Sequence, residues 1–354
     1  MPQSHRSPWK DSDPRGVIMS SQFAAALRVL GAAGDGWLTG LPELIASLEA
    51  DWSVTVGAAL AGGNTSYVAE AVAHDGTPAV LKVAMPPGMP GFVPFAQQLA
   101  ALQLVGGDPY VRLLRYDGVR RAFLLERLGP PLASLGWPAS RQLDTLVRTA
   151  ARGWRPVTAG QFPTEAPKAR WFGDYVARTW EDLGRPCPEA VAEQAVRYAA
   201  ARAAAFDPRR AVLVHGDAHP FNLLQARGQA RGQAPGQAPG QAPGQAGGFR
   251  LIDPEGVAAD PALELGVIIR NLKDGLAGRE PAEARVIMAR NCQRAARLAG
   301  EHAGQSAGAD PEAIWQWVFI ERVANGLNLL RIGDHADAEE FLTGAGKLTK
   351  GYPG

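Results

Sequence analysis

The most constraining feature of this 354-residue chain is a pair of apolar segments that each end in polar residues. Val212–Leu224 reads VLVHGDAHPFNLL, and Phe249–Gly256 reads FRLIDPEG. Short apolar runs bounded by turn-forming residues predict buried strands. The pattern therefore predicts two strands whose polar ends, at Asp217, Asn222 and Asp253, form one functional site.

The spacing of these polar residues suits phosphoryl transfer. Asp217 and Asn222 lie five residues apart, as in the protein-kinase catalytic loop H-R-D-x-x-x-x-N, and Asp253 stands where kinases place the aspartate of D-F-G. Asp217 could orient and deprotonate an acceptor hydroxyl, while Asn222 and Asp253 hold Mg²⁺ against the phosphates of ATP. The alternative is an ordinary His-Gly-Asp turn, but the Asp-to-Asn spacing and the later Ile-Asp pair favour catalysis.

These motifs resemble those of the aminoglycoside phosphotransferase family, which are small-molecule kinases with a protein-kinase-like fold. His215 and Gly216 stand where protein kinases have His and Arg, so the chain resembles the small-molecule branch. Within the family it resembles the streptomycin 6-kinase and hydroxyurea phosphotransferase group most. The matching segments are Gly76–Val83, Leu124–Leu128, the His215 motif, Ile252–Gly256, Asp260–Leu265 with Arg270 and Asn271, and, more weakly, Phe319–Gly326.

The resemblance implies an α+β chain with a two-lobed, protein-kinase-like fold. A small β-rich N-terminal lobe and a larger helical C-terminal lobe would enclose the active site in the cleft between them. We expect a disordered tail over residues 1–20, an N-lobe over 21–128 and a C-lobe over 129–354. Within the C-lobe, residues 228–248 repeat Gly-Gln-Ala-Pro and are expected to form a mobile loop at the tip of a hairpin.

Hydrophobic periodicity and turn residues agree with this order of lobes. The predicted strands are Ser53–Leu60, Ser66–Ala73, Pro78–Ala84, Val111–Tyr116 and Ala122–Leu128. The predicted helices are two short ones within Gln22–Leu48, then Phe95–Val105, Arg141–Trp154, Ala169–Leu183, Glu189–Ala205, Ala262–Leu276, Pro281–Ala299, Pro311–Ile332 and Ala336–Leu348.

Three upstream features extend the resemblance to the nucleotide site. Gly62, Gly63 and Asn64 lie in a turn between predicted strands, where backbone N–H groups could contact phosphates. Lys82, within AVLKV, resembles the V-A-I-K lysine that contacts the α- and β-phosphates. Its apolar neighbours favour a position in the cleft over an exposed strand edge. On the next helix, Gln98 stands where relatives carry the glutamate that pairs with this lysine.

The glutamine is a departure from the family pattern. It could accept a hydrogen bond from Lys82 without full charge pairing, and Glu70 on the second predicted strand is another possible partner. The resemblance also places a hinge at Leu124–Leu128, where the backbone of Glu126 and Leu128 would contact adenine.

Glu264 is a second departure, because the family pattern Asp-Pro-x-x-Asp-Leu has aspartate at this position. That residue usually braces the catalytic loop, and we expect the longer acid to keep the role.

Composition restricts the classes of partner. A formal net charge of +1 with no basic block argues against nucleic acid and membrane surfaces. Cys187 and Cys292 are too few for a disulfide framework and indicate buried thiols in a reducing compartment. The N-terminus has no signal-peptide core, and no run approaches membrane-spanning length. We expect a cytoplasmic enzyme with a small-molecule hydroxyl acceptor, and we infer no protein partner.

The acceptor itself stays open. A cationic aminoglycoside would need carboxylates, and ring stacking would need aromatic residues such as Trp315 and Trp317, which could equally be core. Two other functions remain: a nucleotide-binding pseudokinase, favoured by Gln98, and a kinase of a sugar, homoserine-like or choline-like metabolite. The candidate carboxylates are Glu255, Glu321, Asp334, Asp337, Glu339 and Glu340.

Overall fold

The computed structural model describes residues 21–60, 65–88, 93–227, 248–272, 275–303 and 308–353. The predicted tail over residues 1–20, the phosphate-turn residues Gly62, Gly63 and Asn64, and the repeat from 228 to 247 lie outside the described residues. Within the described ranges, no helix is both long and apolar enough to cross a membrane.

Along the chain, a strand-rich region comes first and a helix-rich region follows it. The helices are α1 (Ser21–Leu30), α2 (Ala32–Trp52), α3 (Phe95–Val105), α4 (Ala139–Gly153), α5 (Glu165–Asp182), α6 (Glu189–Ala205), α7 (Pro261–Arg270), α8 (Pro281–Ala303), α9 (Pro311–Ile332) and α10 (His335–Gly346). The strands are β1 (Val54–Ala59), β2 (Ser66–Ala73), β3 (Pro78–Ala84), β4 (Leu113–Asp117), β5 (Ala122–Glu126), β6 (Arg155–Pro156), β7 (Val212–Val214), β8 (Leu223–Gln225), β9 (Phe249–Leu251) and β10 (Val257–Ala259).

The chain divides into two compact units. The first extends to Ala96 and also contains Arg112–Arg127, and the second contains Gln97–Val111 and Leu128–Gly354. The division differs from the predicted lobe boundary after residue 128, because most of α3 belongs to the second unit. There Gln97 Nε2 donates to the carbonyl oxygens of Glu255 (2.8 Å) and Gly256 (3.1 Å).

The first unit is built on an antiparallel sheet with the strand order β1-β2-β3-β5-β4. Asp75 and Gly76 form the turn between β2 and β3: Gly76 has φ +82°, and Asp75 Oδ1 accepts the Thr77 N–H (2.9 Å). Leu81 and Val83 are fully buried in the core of this unit. Because side chains alternate along a strand, Lys82 projects from the opposite face of β3.

The second unit consists of helices around short strands. Strand β7 pairs with β10 and β6, while β8 and β9 form an antiparallel hairpin in which Gln225 opposes Phe249. This hairpin, with the repeat between its strands, confirms the sequence prediction for the two motif-bearing segments. The loop after β7 carries Asp217, and Asn222 directly precedes β8, so the hairpin fixes the end of the catalytic loop.

Tertiary packing explains the places where the helix predictions differ. Helix α2 runs through Pro42 because Leu41, Ile45 and Leu48 form a buried stripe against the sheet core, which outweighs the low helix propensity of its glycines. The two helices, α1 and α2, are separated only by Gly31, and α2 is longer than predicted. Helix α7 ends at Arg270 rather than Leu276. The very short strands β6 and β10 have too few residues to show a sequence period.

Close packing between α7 and α9 leads to a stability prediction. A Cβ on Gly266 would lie 2.4 Å from Trp317 Cβ, so Gly266→Ala is expected to reduce the free energy of unfolding by roughly 2 kcal/mol. Gly300, in α8, has nothing within 4 Å of the corresponding position. Gly300→Ala should therefore stabilise the chain by up to about 1 kcal/mol through helix propensity. Urea denaturation of both variants checks the pair, and equal effects would contradict the packing argument.

Candidate active site

Asp217 and Asn222 are in direct contact, as their spacing predicts. Asn222 Nδ2 donates to both the backbone oxygen (3.0 Å) and Oδ2 (3.1 Å) of Asp217. The amide is therefore turned so that Oδ1 is its candidate metal ligand. The contact fixes the Asp217 carboxylate at the end of the catalytic loop, with about a third of its side chain exposed.

His215 joins the two motif-bearing segments. It is fully buried, its Nε2 lies 2.8 Å from the carbonyl oxygen of Ile252, and its Nδ1 accepts the Asp217 N–H (3.2 Å). Because Nδ1 accepts, Nε2 carries the proton and donates to Ile252, so the ring is neutral. Burial lowers the pKa of His215 to about 4, against the attraction of nearby Asp217. One uncharged imidazole thus connects the residue before Asp253 to the backbone of Asp217.

Glu264 braces the same loop, which confirms its predicted role. Its carboxylate accepts the backbone N–H of His215 in a short hydrogen bond and that of Gly216 at 3.3 Å. Burial raises the pKa of Glu264 to about 7, although the two backbone donors act in the opposite direction. The extra methylene relative to aspartate therefore does not prevent contact with the loop.

Asp253 follows β9 in an unusual backbone conformation with φ +60°. A non-glycine residue in the left-handed region is uncommon and often occurs at functional sites. The adjacent Ile252 N–H donates to the Asn222 carbonyl oxygen (2.9 Å), so the two predicted metal ligands lie on directly bonded segments. This is the spatial association that the two motifs predicted.

The donor set suits Mg²⁺ bound together with a nucleotide. An amide oxygen and a carboxylate are hard oxygen ligands, and Mg²⁺ is usually held by one or two protein carboxylates plus phosphate and water oxygens. Among the described residues, no group of three or more His, Cys, Asp or Glu could form a metal site by itself. Asn222 and Asp253 therefore fit a shared protein–nucleotide site better than an all-protein one.

Arg270 is a further contact of the predicted base. Its Nη2 donates to Asp217 Oδ1 (3.1 Å), and its Nη1 forms a short ion pair with the buried carboxylate of Glu321. His219 Nε2 lies 3.4 Å from Asp217 Oδ2. Burial acts to raise the pKa of Asp217, but His219 and Arg270 outweigh it and hold the pKa well below its ordinary range. Asp217 is therefore ionised at neutral pH.

A second ion pair flanks this group. Lys168 on α5 forms a short ion pair with Glu255, two residues beyond Asp253. Although burial opposes it, the attraction of Glu255 raises the pKa of Lys168. Gly216, at φ +87°, is needed here, because a Cβ would lie 2.8 Å from Glu255 Oε2. The catalytic motif in the sequence did not identify Lys168. The only sequence feature that could have done so is its spacing, which places it on the same face of α5 as several aromatic residues.

Two of the predicted nucleotide residues, Lys82 and Glu126, lie in the described part of the first unit. Lys82 is only 6% exposed, although it is charged, on the sheet face opposite the core. The Glu126 N–H donates to the Arg112 carbonyl oxygen (3.0 Å), which leaves the Glu126 carbonyl as its candidate adenine contact. Glu70 pairs with Arg127 (2.7 Å), which weakens its case as the partner of Lys82.

Two predicted nucleotide residues lie in the second unit. Gln98 is half-buried on α3, directly after the Gln97 that bonds to the segment following Asp253. Leu128 is buried and is the first residue of the second segment of that unit. The roles of Gln98 and Leu128 in nucleotide binding stay predictions.

The candidate acceptor residues include some that have structural roles and some that are linked to Asp217. Trp315 and Trp317 are fully buried, so the suggestion that they stack on a sugar is wrong; both are core residues of α9. Asp334 caps α10 through the Asp337 N–H (3.3 Å), and Glu340 lies 3.7 Å from Arg322. Of the candidate carboxylates, Glu255 and Glu321 are tied to the Asp217 site by the ion pairs described above.

Comparison with known proteins assigns the family. Residues 51–333 match the family described as aminoglycoside/hydroxyurea antibiotic resistance kinase. The chain belongs to this family. It is 29% identical to a streptomycin 6-kinase of Streptomyces glaucescens, covering 68% of this chain and 71% of that protein. It is 31% identical to a hydroxyurea phosphotransferase of Kitasatospora aureofaciens, covering 68% of this chain and 64% of that protein.

Solved structures agree on the fold. The choline kinase of Cryptosporidium parvum superposes with a TM-score of 0.56 at 10% identity, over 87% of this chain and 93% of that one. A macrolide 2′-phosphotransferase of Brachybacterium faecium superposes with a TM-score of 0.52 at 15% identity, over 85% and 98%. The predicted α+β kinase-like fold is confirmed. As a member of this family, the chain is a phosphotransferase that uses ATP and acts on hydroxyl groups of small molecules.

The raised pKa of Glu264 gives the chain a testable pH dependence. The folded state binds this proton more tightly than the unfolded state, whose pKa is near 4.5, so the stabilisation is complete below that pH and is lost as the pH rises through about 7. We expect Glu264→Gln to cost about 1–3 kcal/mol, because one loop N–H loses its acceptor. The stability difference between wild type and variant should also shrink as the pH rises.

Urea denaturation across that pH range measures the difference. Glu283→Gln, which alters an exposed pair with Arg279, is the matched control and should keep the wild-type pH dependence. A stability difference between wild type and Glu264→Gln that grows with pH would contradict the assignment.

Proposed function

We propose that this chain transfers the γ-phosphoryl group of Mg²⁺-ATP to a hydroxyl of a small antibiotic-like molecule, and that streptomycin and hydroxyurea are the acceptors to test first. The observation that carries the residue assignment is the contact of Asn222 with Asp217, on the same hairpin that holds Asp253. The named activities of the relatives support the choice of acceptors.

Asp217 is proposed to orient the acceptor hydroxyl. Its oxygens already receive hydrogen bonds from Asn222 and Arg270, and its low pKa makes it a weak base. A weak base contributes mainly by aligning the nucleophile. It accepts the proton late, when the hydroxyl oxygen has donated electron density to phosphorus and its proton has become acidic. Mg²⁺, held by Asn222 and Asp253, would supply charge neutralisation on the nucleotide phosphates.

The remaining roles follow the family resemblance. Lys82 would bind the α- and β-phosphates, and Gln98 would position that lysine through a hydrogen bond. The Glu126 carbonyl and the Leu128 N–H would contact adenine. The residues proposed to cover the phosphates with backbone N–H groups are Gly62, Gly63 and Asn64.

The pseudokinase alternative is not favoured. Its one support is Gln98, whereas the catalytic loop is fully assembled, with Asp217 held by three side chains. A module that only binds nucleotide would not need this arrangement. A primary-metabolite acceptor has weaker support, because the similarity of this chain to choline kinase shows the fold alone.

Asp217→Asn is expected to reduce kcat by roughly 10²–10⁴-fold, because the amide cannot accept the hydroxyl proton. ATP binding should be retained. Mass spectrometry of the phosphorylated acceptor, with Mg²⁺-ATP and streptomycin or hydroxyurea, measures the loss. Asp207→Asn, which alters an exposed aspartate paired with Arg209, is the control and should keep wild-type turnover. Undiminished transfer by a folded Asp217→Asn protein would refute the role.

Arg270 should set the acid limit of activity. Its positive charge helps to lower the pKa of Asp217, so replacing Arg270 with Gln should raise that pKa and shift the acid limb of kcat to higher pH. The substitution is made together with Glu321→Gln, because removing one partner of a buried pair leaves an uncompensated charge.

The pH profile of kcat between pH 4 and 8 measures the shift. Arg270→Lys keeps the charge and should leave the acid limb nearly in place. Arg294→Gln, at a pair with Asp144 away from the loop, is the control. An acid limb that stays unchanged in the double variant would show that Arg270 does not act on Asp217.

A further inference from the structure

Polar and aromatic side chains on two helices, α5 and α9, are linked to Asp217 through Arg270 and Glu321. On α9, Glu321, Asn325 and Asn328 are spaced by four and three residues, so they share one helix face. Glu321 is linked to Asp217 through Arg270, and Asn325 Nδ2 donates to the Glu321 backbone oxygen (2.9 Å). The face therefore begins beside the proposed base.

Helix α5 contributes a matching face. Lys168, Trp171 and Tyr175 are spaced by three and four residues and share a side of the helix. The Trp171 and Tyr175 rings are stacked, with centroids 5.2 Å apart and 16° between planes. Tyr175 Oη donates to Asn328 Oδ1 on α9 (3.4 Å), which joins the two faces.

Between α5 and α9, the Phe172 ring meets the fully buried Trp317 edge to face at 6.2 Å. Trp171 packs edge to face on Phe172 at 5.1 Å, and Tyr175 is joined to α9 through Asn328. Trp171 is nevertheless 39% exposed. An exposed aromatic ring that is stacked on a second one offers an apolar face on which a ligand ring can stack.

The polar groups beside this pair suit hydroxyl recognition. Asn328 Oδ1 accepts from Tyr175 and from Arg331 Nη2 (2.8 Å), so the Nδ2 group of Asn328 is its donor toward a ligand. Asn325 similarly uses Nδ2 within the protein, which leaves Oδ1 as its acceptor. From Glu321 to Asn328 the helix rises about 10 Å, comparable to the length of two linked sugar rings.

We propose that Trp171, Tyr175, Asn325 and Asn328 form an acceptor subsite for a second hydroxylated ring, so that the chain selects multi-ring sugar or aminocyclitol acceptors over single-ring ones. The proposal rests on the proposed function, because it places the first ring at Asp217. One ring presents its hydroxyl to Asp217, and the next stacks on Trp171 while its hydroxyls bond to the two amides.

The experiment compares binding of streptomycin with binding of streptidine, its single-ring aminocyclitol portion, by isothermal titration calorimetry. The wild-type chain should bind streptomycin more tightly. Trp171→Ala should weaken streptomycin binding by roughly tenfold and leave streptidine binding unchanged. Trp171→Phe, which keeps an aromatic face for stacking, should restore most of the affinity.

Arg170→Ala, an exposed substitution on another side of α5, is the matched control and should bind both ligands as the wild type does. Equal streptomycin affinity in wild type and Trp171→Ala would overturn the subsite, as would a wild type that binds neither ligand or does not distinguish them. Tight streptomycin binding that depends on Trp171, without any phosphoryl transfer, would keep the subsite and refute the proposed function instead.

Discussion

The buried, neutral imidazole of His215 is the interaction on which the rest of the site depends. It accepts the Asp217 N–H and donates to the Ile252 carbonyl, so it sets the separation between the proposed base and the segment that carries Asp253. A charged ring could not accept from Asp217, and burial disfavours that charge. Glu264 adds two contacts to the same loop backbone. Backbone contacts of His215 and Glu264 thus maintain the geometry of the loop that carries Asp217.

This arrangement explains how much the sequence could predict. The close association of Asp217, Asn222 and Asp253 was predictable because the loop after β7 and the hairpin are local structures, whose residue spacing is fixed by a few turns. The position of Lys82 within β3 was predictable because apolar residues flank it on both sides. The order of the longer strands and helices in both units follows from the same short-range periodicity, whereas β6 and β10 are too short to show it.

Contacts between distant elements could not be predicted in this way. Arg270 meets Asp217 across 53 positions, and Lys168 meets Glu255 across 87, so no local pattern connects them. The tryptophans show the same limit. Trp315 and Trp317 drew attention because they stand near acidic residues in the sequence, yet both are core, while Trp171 is exposed. The residue spacing shows that Trp171 shares a face of α5 with Lys168 and Tyr175. Which face of α5 is buried, however, depends on where α9 packs.

The charge state of Asp217 also bears on how one catalytic loop can serve different acceptors. With Arg270, His219 and Asn222 around it, the carboxylate is held ionised and fixed in direction, so a stronger base is not what distinguishes one hydroxyl from another. Discrimination must then come from groups that place the acceptor, and a displacement of about 1 Å at the reacting atoms is enough to slow transfer strongly. The residues proposed for this role in this chain, on α5 and α9, lie outside the loop motif. The two relatives, 29% and 31% identical to this chain, have names that specify acceptors as different as streptomycin and hydroxyurea.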